Sequence, residues 1–337
     1  MKTRMLTFQE VKKLSEAYSL IFGRNHLQIS LAGLEPLLWK DDSVRIYDLI
    51  RELANFGFSV DITTNGYLLK KMSVMLARSG LRKCRVSVHS FDRELYRRIT
   101  GSDYLNEILK EIDHCLDMGI DININRTLLN GFIDDIPKGI NFINKRNIKA
   151  KFYDLLWVPQ ISEVWQGFYI HWKCVIDKYV VDLTKEIECI EIMHHRSRLR
   201  YHLIGGGAIE VKLFNENMHT SLQHCIDCPQ RDFCKETFGE YIYFFPNKHI
   251  AFCNLNEKIC LDLSMILKGT VEDIAEFLIK SFTIFMGINW KEILGTGRLQ
   301  LYLNEVCNYK CSFPGDCNEQ WCLSYKRFNK HFLFNQK

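Results

Sequence analysis

Along the first 158 residues, short apolar runs alternate with stretches of helical period. The runs Leu27–Leu31, Val60–Thr63, Cys84–Val88, Ile122–Leu129 and Ala150–Leu156 carry Val, Ile and Leu at high density, the pattern of strands covered on a sheet's face. Between them, Phe8–Phe22, Val44–Phe56, Lys70–Arg78, Leu105–Met118 and Ile136–Lys145 place apolar residues three and four apart, which predicts amphipathic helices. Gly57, Gly80 and Gly119 stand where a helix would stop before the next strand. Strand–helix alternation with apolar strands predicts an α/β fold, a parallel sheet with helices outside. The series opens on a helix, which is odd for a unit of strand–helix repeats.

Beyond residue 158 the pattern changes. Residues 160–200 read as helical, with Val175–Val181 and Leu183–Ile192 carrying apolar residues at helical spacing. Ile204-Gly205-Gly206-Gly207 reads as a turn and Ala208–Leu213 as a short strand. Tyr241–Phe245 and Ile250–Cys253 read as hairpin arms around Pro246-Asn247-Lys248-His249. Asp273–Phe285 is a further predicted helix, Gly295-Thr296-Gly297 a hinge, and Leu299–Leu303 a strand. The aromatic residues Trp157, Trp165, Phe168, Tyr169 and Trp172, after the last of the strand–helix repeats, read as core packing, and His194–Arg200 as a solvated basic helix face.

Composition adds little until the cysteines are counted. With 47% hydrophobic and 25% charged residues the 337-residue chain is typical of globular proteins. Lys+Arg 44 against Asp+Glu 40 gives +4, too mild to indicate nucleic acid. Apolar runs such as Phe282–Ile288 are far too short to span a bilayer, and the start carries no secretory pattern, so a cytoplasmic location is expected. Yet there are 13 cysteines. Cys84, Cys115, Cys174, Cys189 and Cys260 are scattered and read as small packing residues. The other eight form two groups, Cys225/Cys228/Cys234/Cys253 and Cys307/Cys311/Cys317/Cys322. Clustered thiols in a reducing compartment point to metal rather than disulfides.

In the first group, Cys-x2-Cys-x5-Cys lets two thiolates reach one metal from a tight turn, and the hairpin returns Cys253 as a fourth ligand. Zinc and iron–sulfur both fit four sulfurs. In the second group, the predicted strand Leu299–Leu303 empties into Cys307-Asn308-Tyr309-Lys310-Cys311, and ligands at the carboxyl ends of parallel strands are where α/β active sites collect.

That second group resembles the opening of the cluster loop in radical S-adenosylmethionine (SAM) enzymes, whose motif is Cys-x3-Cys-x2-Cys. The resemblance continues through the amino-terminal half. Leu31-Ala32-Gly33-Leu34-Glu35-Pro36 resembles the Gly-Gly-Glu-Pro motif that binds the SAM amino group. Thr63-Thr64-Asn65-Gly66 and Ser87-Val88-His89-Ser90 resemble the next strand ends. Arg98–Gly101, Asn123-Ile124-Asn125 and Asn130-Gly131 follow in the family's order. The GTP 3',8-cyclase branch and neighbouring peptide-modifying enzymes are most similar. The first cysteine group resembles the auxiliary-cluster domains called SPASM and, in shorter form, Twitch, which shifts it from zinc towards 4Fe-4S.

The resemblance implies a partial (β/α)6 TIM-like barrel with a small cysteine-rich α+β domain. It also implies a circular permutation, since the family's first strand and cluster loop precede the helix that here begins near Leu6. Residues 6–158 would supply barrel strands two to six, 159–298 a helical linker and Twitch-like domain, and 299–337 strand one and the cluster loop. Implied cofactors are SAM and two 4Fe-4S clusters. Gly33, Glu35, Pro36, Thr64, Asn65, Ser87, His89 and Asn125 would surround SAM. Cys307, Cys311 and Cys317 would hold the radical cluster, and Cys225, Cys228, Cys234 and Cys253 the auxiliary one. Pro314 stands where the family's third cysteine falls, which brings in Cys317, with Cys322 as alternative; Leu34 replaces a family glycine.

The implied activity is reductive cleavage of SAM to a 5'-deoxyadenosyl radical that takes hydrogen from a substrate. That substrate would be a ribosomally made peptide, or else a small molecule, with flavodoxin or ferredoxin as electron donor. Four cysteines in the first group, where the GTP-cyclase branch uses three, count against GTP cyclisation. The competing reading is a non-catalytic zinc-binding protein or a degenerate radical SAM fold.

Overall fold

The computed structural model describes residues 5–22, 28–182, 187–193, 198–213, 223–226, 228, 230–234, 242–253 and 260–286. They divide into two compact units: Met1–Leu213 with Phe245–Lys248 and Leu263–Ala275, and Phe214–Phe244 with His249–Asp262 and Glu276–Lys337.

The first unit opens with helix α1 (Phe8–Phe22), strand β1 (Gln28–Leu31), a two-stranded ribbon β2 (Lys40–Asp41) and β3 (Val44–Arg45), and α2 (Ile46–Asn55). Then come β4 (Ser59–Thr64), α3 (Leu69–Arg78), β5 (Lys83–Ser87), α4 (Arg93–Thr100), α5 (Leu105–Asp117), β6 (Asp121–Leu128), α6 (Ile136–Lys145) and β7 (Lys149–Asp154). Two short helices, α7 (Ser162–Phe168) and α8 (Trp172–Val175), lead into a π-helical segment, Ile176–Asp182. Strands β8 (Ile187–Met193), β9 (Arg198–Leu203) and β10 (Ala208–Lys212) complete the sheet.

Eight strands form one open sheet in the order β1-β4-β5-β6-β7-β10-β9-β8. The first six are mutually parallel, and β9 and β8 add an antiparallel margin. The five parallel strands of the amino-terminal half are those the sequence pattern predicts. A sixth parallel strand is β10, on the far side of β7. The predicted strand Leu299–Leu303, and with it the permutation, lies outside the described residues.

Alternation divides the sheet into two faces. Val60, Ile62, Cys84, Val86, Ile122, Ile124, Ala150, Phe152, Ile209 and Val211 are buried on one of them. Helices contribute the matching apolar stripes, among them Leu49, Ile50 and Leu53 of α2, Ile108 and Ile112 of α5, and Ile140 and Ile143 of α6. Each such side chain taken fully from water contributes about 1.5–3 kcal/mol.

Two expectations are corrected. Leu183–Ile192 was expected to be helical, but Ile187–Met193 is strand β8. An irregularity in pairing between Ile187 and Cys189 shifts the side-chain phase, so apolar residues at 187, 190 and 192 imitate helical spacing. The basic run His194–Arg200 was expected on a helix, whereas Arg198 and Arg200 belong to β9 and are largely buried. Helix α4 escaped the periodicity because only Tyr96 of its eight residues is buried. Its signals are local: Asp92 accepts from the amides of Glu94 and Leu95, and Gly101 closes it at φ +71°.

Inside the helix-covered face, one ion pair is closed to solvent. Arg126 on β6 donates from Nη1 and Nη2 to Asp135 at 3.0 and 2.6 Å, and each side chain is 1% exposed. Asp135 also accepts from Ser90 Oγ at 2.8 Å and from the Phe91 amide, and Arg126 Nη2 donates to Phe132 O at 3.0 Å. The pair binds β6 to the loop leaving β5 and to the start of α6. At the other end of the chain's order, Glu10 of α1 pairs with Lys248 at 2.5 Å, and Lys13 donates to Gly269 O at 2.9 Å. Those contacts explain why 245–248 and 263–275 count with the first unit.

In the second unit, α9 (Gln223–Ile226) precedes an antiparallel sheet of β11 (Tyr243–Phe244), β12 (His249–Ala251) and β13 (Cys260–Asp262). The β11–β12 hairpin is the predicted one. Helix α10 (Val271–Met286), which belongs to the first unit up to Ala275 and to the second from Glu276, follows, close to the predicted Asp273–Phe285.

Removing one partner of the buried pair leaves an uncompensated charge. Asp135→Ala is expected to cost about 3–5 kcal/mol in urea unfolding, and the double change Arg126→Met/Asp135→Leu distinctly less. An unfolding midpoint unmoved by Asp135→Ala would contradict this account of the core.

Candidate functional site

Strand β1 ends at Leu31 and the chain turns at Gly33, whose φ of +102° suits glycine; a Cβ there would meet nothing within 4 Å. Leu34 is fully exposed. Glu35 then caps the short 3-10 turn Pro36–Leu38, accepting from the Leu37 amide at 3.1 Å. The same carboxylate crosses to the end of β4, where Thr64 Oγ1 donates to Oε1 at 2.8 Å and the Asn65 amide donates to Oε2 at 2.9 Å. Asn65 Oδ1 accepts from the Tyr67 amide at 2.9 Å, and Gly66 follows at φ +83°. A Cβ at Gly66 would come within 2.9 Å of Ile108 and Val86, so this turn admits only glycine.

The remaining expected residues lie on the neighbouring strands. Ser87 ends β5 and is paired in register with Asn125 of β6. Asn125 Oδ1 is buried and has no hydrogen-bond partner among the described residues. His89 follows β5, and its Nδ1 accepts from the Thr127 amide at 3.4 Å, which leaves the proton on Nε2. Burial, and then the Arg126 charge, hold its pKa below the ordinary imidazole value, so the ring is neutral near pH 7. The structure therefore brings Gly33, Glu35, Pro36, Thr64 and Asn65 together by direct contact or chain adjacency. Ser87, His89 and Asn125 stand two and three strand positions further across the sheet.

The face opposite the helices carries polar groups that the sequence reading left out. Arg85 of β5 donates to Ser30 Oγ at 2.9 Å and pairs with buried Asp61, which also receives Gln28. Further across, register places Lys151, Glu210, Arg200 and Glu191 in one row with the expected Ser87 and Asn125. The signal was present as alternating charge within short strands: Lys149-x-Lys151, Arg198-x-Arg200 and Glu210-x-Lys212.

Cys225, Cys228, Cys234 and Cys253 all fall in the second unit and are half-buried. Burial, with Cys253 and Cys228 as neighbouring thiols, pushes the Cys225 pKa up. Among the described residues no set of three or more His, Cys, Asp or Glu side chains is drawn together as metal ligands. Cys307, Cys311 and Cys317 lie outside the described residues. Cys84 and Cys115 are buried in the first unit; burial raises the Cys84 thiol well above its usual value and Cys115 to about 12, as packing residues should behave. No described helix is long and apolar enough to cross a membrane.

An open sheet of parallel strands with helices on one face is consistent with a partial (β/α) barrel, a fold whose sites collect at the strands' carboxyl ends. Residues 1–143 match the model of the Radical SAM superfamily. The chain is 30% identical over 165 residues to a GTP 3',8-cyclase of Marinobacter nauticus, covering 48% of each chain. It is 32% identical over 160 residues to a GTP 3',8-cyclase of Staphylococcus haemolyticus, covering 46% of this chain and 45% of that one. The chain thus spans about half the length of the curated relatives it matches. Among solved structures, native anSMEcpe with bound AdoMet and Cp18Cys peptide is similar in fold, at TM-score 0.51 and 14% identity over 96% of this chain and 89% of that one.

The residues present suit a ligand with an ammonium group and polar edges. Three donors occupy Glu35, two on Oε1 and one on Oε2; a carboxylate offers about four acceptor positions, so Oε2 retains one. Open space at Gly33 and the unpartnered Oδ1 of Asn125 add room and a further acceptor.

Because Glu35 joins the exits of β1 and β4, its loss should be read locally. Glu35→Ala is expected to destabilise the fold by about 1–3 kcal/mol and to speed hydrogen exchange at the Asn65 amide. Unchanged Asn65 protection would mean that the carboxylate does not hold this rim.

Proposed function

We propose that this protein is a radical SAM enzyme with an auxiliary cluster, and that it takes hydrogen from a ribosomally made peptide. One observation carries the reading. Glu35, set by the turn after β1, reaches the end of β4 and keeps an acceptor position, in line across the sheet's rim with Ser87 and the unpartnered Asn125. When bound, SAM beside a reduced 4Fe-4S cluster supplies a 5'-deoxyadenosyl radical able to abstract hydrogen. The chain's part is binding, orientation and exclusion of water.

In this reading Glu35 accepts from the SAM ammonium, and Gly33 lets the backbone come close to the methionine portion. Asn125 Oδ1 receives a donor from the adenosine portion, while neutral His89 borders it. Thr64 and Asn65 act through Glu35, since Thr64 Oγ1 and the Asn65 amide are both committed to it. Pro36 starts the turn that fixes Glu35. Cys307, Cys311 and Cys317, which lie outside the described residues, would ligate the radical cluster. Cys225, Cys228, Cys234 and Cys253 hold the auxiliary cluster. The peptide class is favoured by the four thiols of this group and by the peptide named with anSMEcpe, a protein of similar fold. Flavodoxin or ferredoxin serves as the electron donor.

Anaerobic reconstitution should load about eight iron per chain, the content of two 4Fe-4S clusters. Reduction with SAM should release 5'-deoxyadenosine, and Cys311→Ala should abolish that release. A colourless protein holding zinc and no iron would overturn the proposal in favour of a metal-stabilised, non-catalytic fold.

A further inference from the structure

Lys151 occupies an unusual place on the polar face. Register sets it between Asn125 of β6 and Glu210 of β10, and its side chain is 12% exposed. A buried ammonium normally requires a carboxylate in hydrogen-bond contact. Here Glu210 Oε2 stands 4.0 Å from Lys151 Nζ, beyond that reach. Glu210 is also spoken for: its Oε1 accepts from Arg200 Nε and Nη2 at 2.9 and 2.7 Å, and Oε2 faces Arg198 Nη1 at 3.5 Å. Burial alone would raise the Glu210 carboxyl, but the Arg200 hydrogen bond and the surrounding cations hold it below its ordinary value, so it stays ionised.

Among the described residues, the groups facing Lys151 are Lys83 and Arg85 from β5, Arg198 and Arg200 from β9, and Glu210 and Lys212 from β10, with Asp61 of β4 engaged by Arg85. Cations outnumber carboxylates in that set. A small cavity opens among Lys151, Tyr153, Arg198, Glu210 and Lys212. Burial first, and then Arg198, push the Lys151 pKa down to about 7.

We propose that Lys151 is a proton-accepting group of the site: its amine, buried on the face that carries Asn125 with no described carboxylate in hydrogen-bond reach, takes a proton from an acidic N–H, O–H or S–H group of the ligand bound there. The proton moves to Nζ, the electron pair remains on the ligand atom, and the new ammonium is compensated by Glu210. The ligand class is therefore one that must lose a proton in the site. The assignment adds a group to the site of the proposed function, but it is tested in the full-length chain without iron or SAM, so its failure and that of the radical reading are separate.

Lysine labelled with carbon-13 at Cε reports each amine's ionisation directly. One resonance, identified by its disappearance in Lys151→Met, should titrate with a midpoint near 7, against about 10.4 for an ordinary lysine. Glu210→Gln, which removes the compensating carboxylate, should lower that midpoint further. Propionaldehyde with cyanoborohydride at neutral pH should alkylate Lys151 ahead of the exposed Lys110, since the neutral amine is the reactive form. Stability supplies a fourth reading. The folded pKa lies below the unfolded one, so the unfolded chain binds more protons between about pH 7 and 10.4, and stability must rise with pH through that window. Lys151→Met should flatten the rise. A Cε midpoint near 10, or a Lys151 that propionaldehyde leaves unmodified, would overturn the proposal.

Discussion

Parallel strands held in register place every second side chain on the same face, and in this protein the two faces have opposite chemistry. One is apolar and meets the helices, while the other carries Asp61, Arg85, Asn125, Lys151 and Glu210 in neighbouring strands. A slip of one residue in any strand would turn lysine or glutamate into the helix layer and isoleucine out of it. Burial of charge is thus what fixes the alignment of the sheet, and the alignment is what brings a site together. The ion pair admitted to the helix side, Arg126 with Asp135, is joined by three further hydrogen-bonding groups around it, Ser90 Oγ, the Phe91 amide and Phe132 O.

At the rim of the sheet, one carboxylate has two structural duties and a spare acceptor position. Glu35 caps its own turn and fastens β1 to β4, so the geometry offered to a ligand is set before the ligand arrives. Preorganisation of this kind reduces the ordering that binding would otherwise require. Asn125 shows the complementary situation: a buried acceptor with no donor among the described residues, which a bound molecule would satisfy. Across the same face, positive charge accumulates towards β9 and β10. The face therefore carries neutral polar groups, Ser87 and Asn125, beside a charged region around Lys151, Arg198 and Glu210.

Much of this was legible in the chain. The five apolar strands and their helices follow from period, and the rim residues Gly33, Glu35, Asn65 and Gly66 follow from motif order, because turns that demand a positive φ leave glycine behind. Local chemistry competing with period accounts for the misses. At Ile187–Met193 a pairing irregularity disguised a strand as a helix. Arg198 and Arg200 read as solvated because basic residues usually are, whereas here Glu210 holds them in place. Lys151 could not have been singled out, since its character arises from groups 47 to 68 positions away along the chain and beside it only in the sheet. The roles of Cys307, Cys311 and Cys317 continue to rest on spacing and on the order of the family's motifs.

The central claim is that the rim at Glu35 presents SAM to an iron–sulfur cluster. Electron paramagnetic resonance of the reduced, iron-loaded protein, recorded before and after addition of SAM, tests it most directly. The account predicts a cluster signal that SAM visibly changes in the wild type and leaves unchanged in Glu35→Ala. An iron-loaded protein whose signal is indifferent to SAM would contradict it.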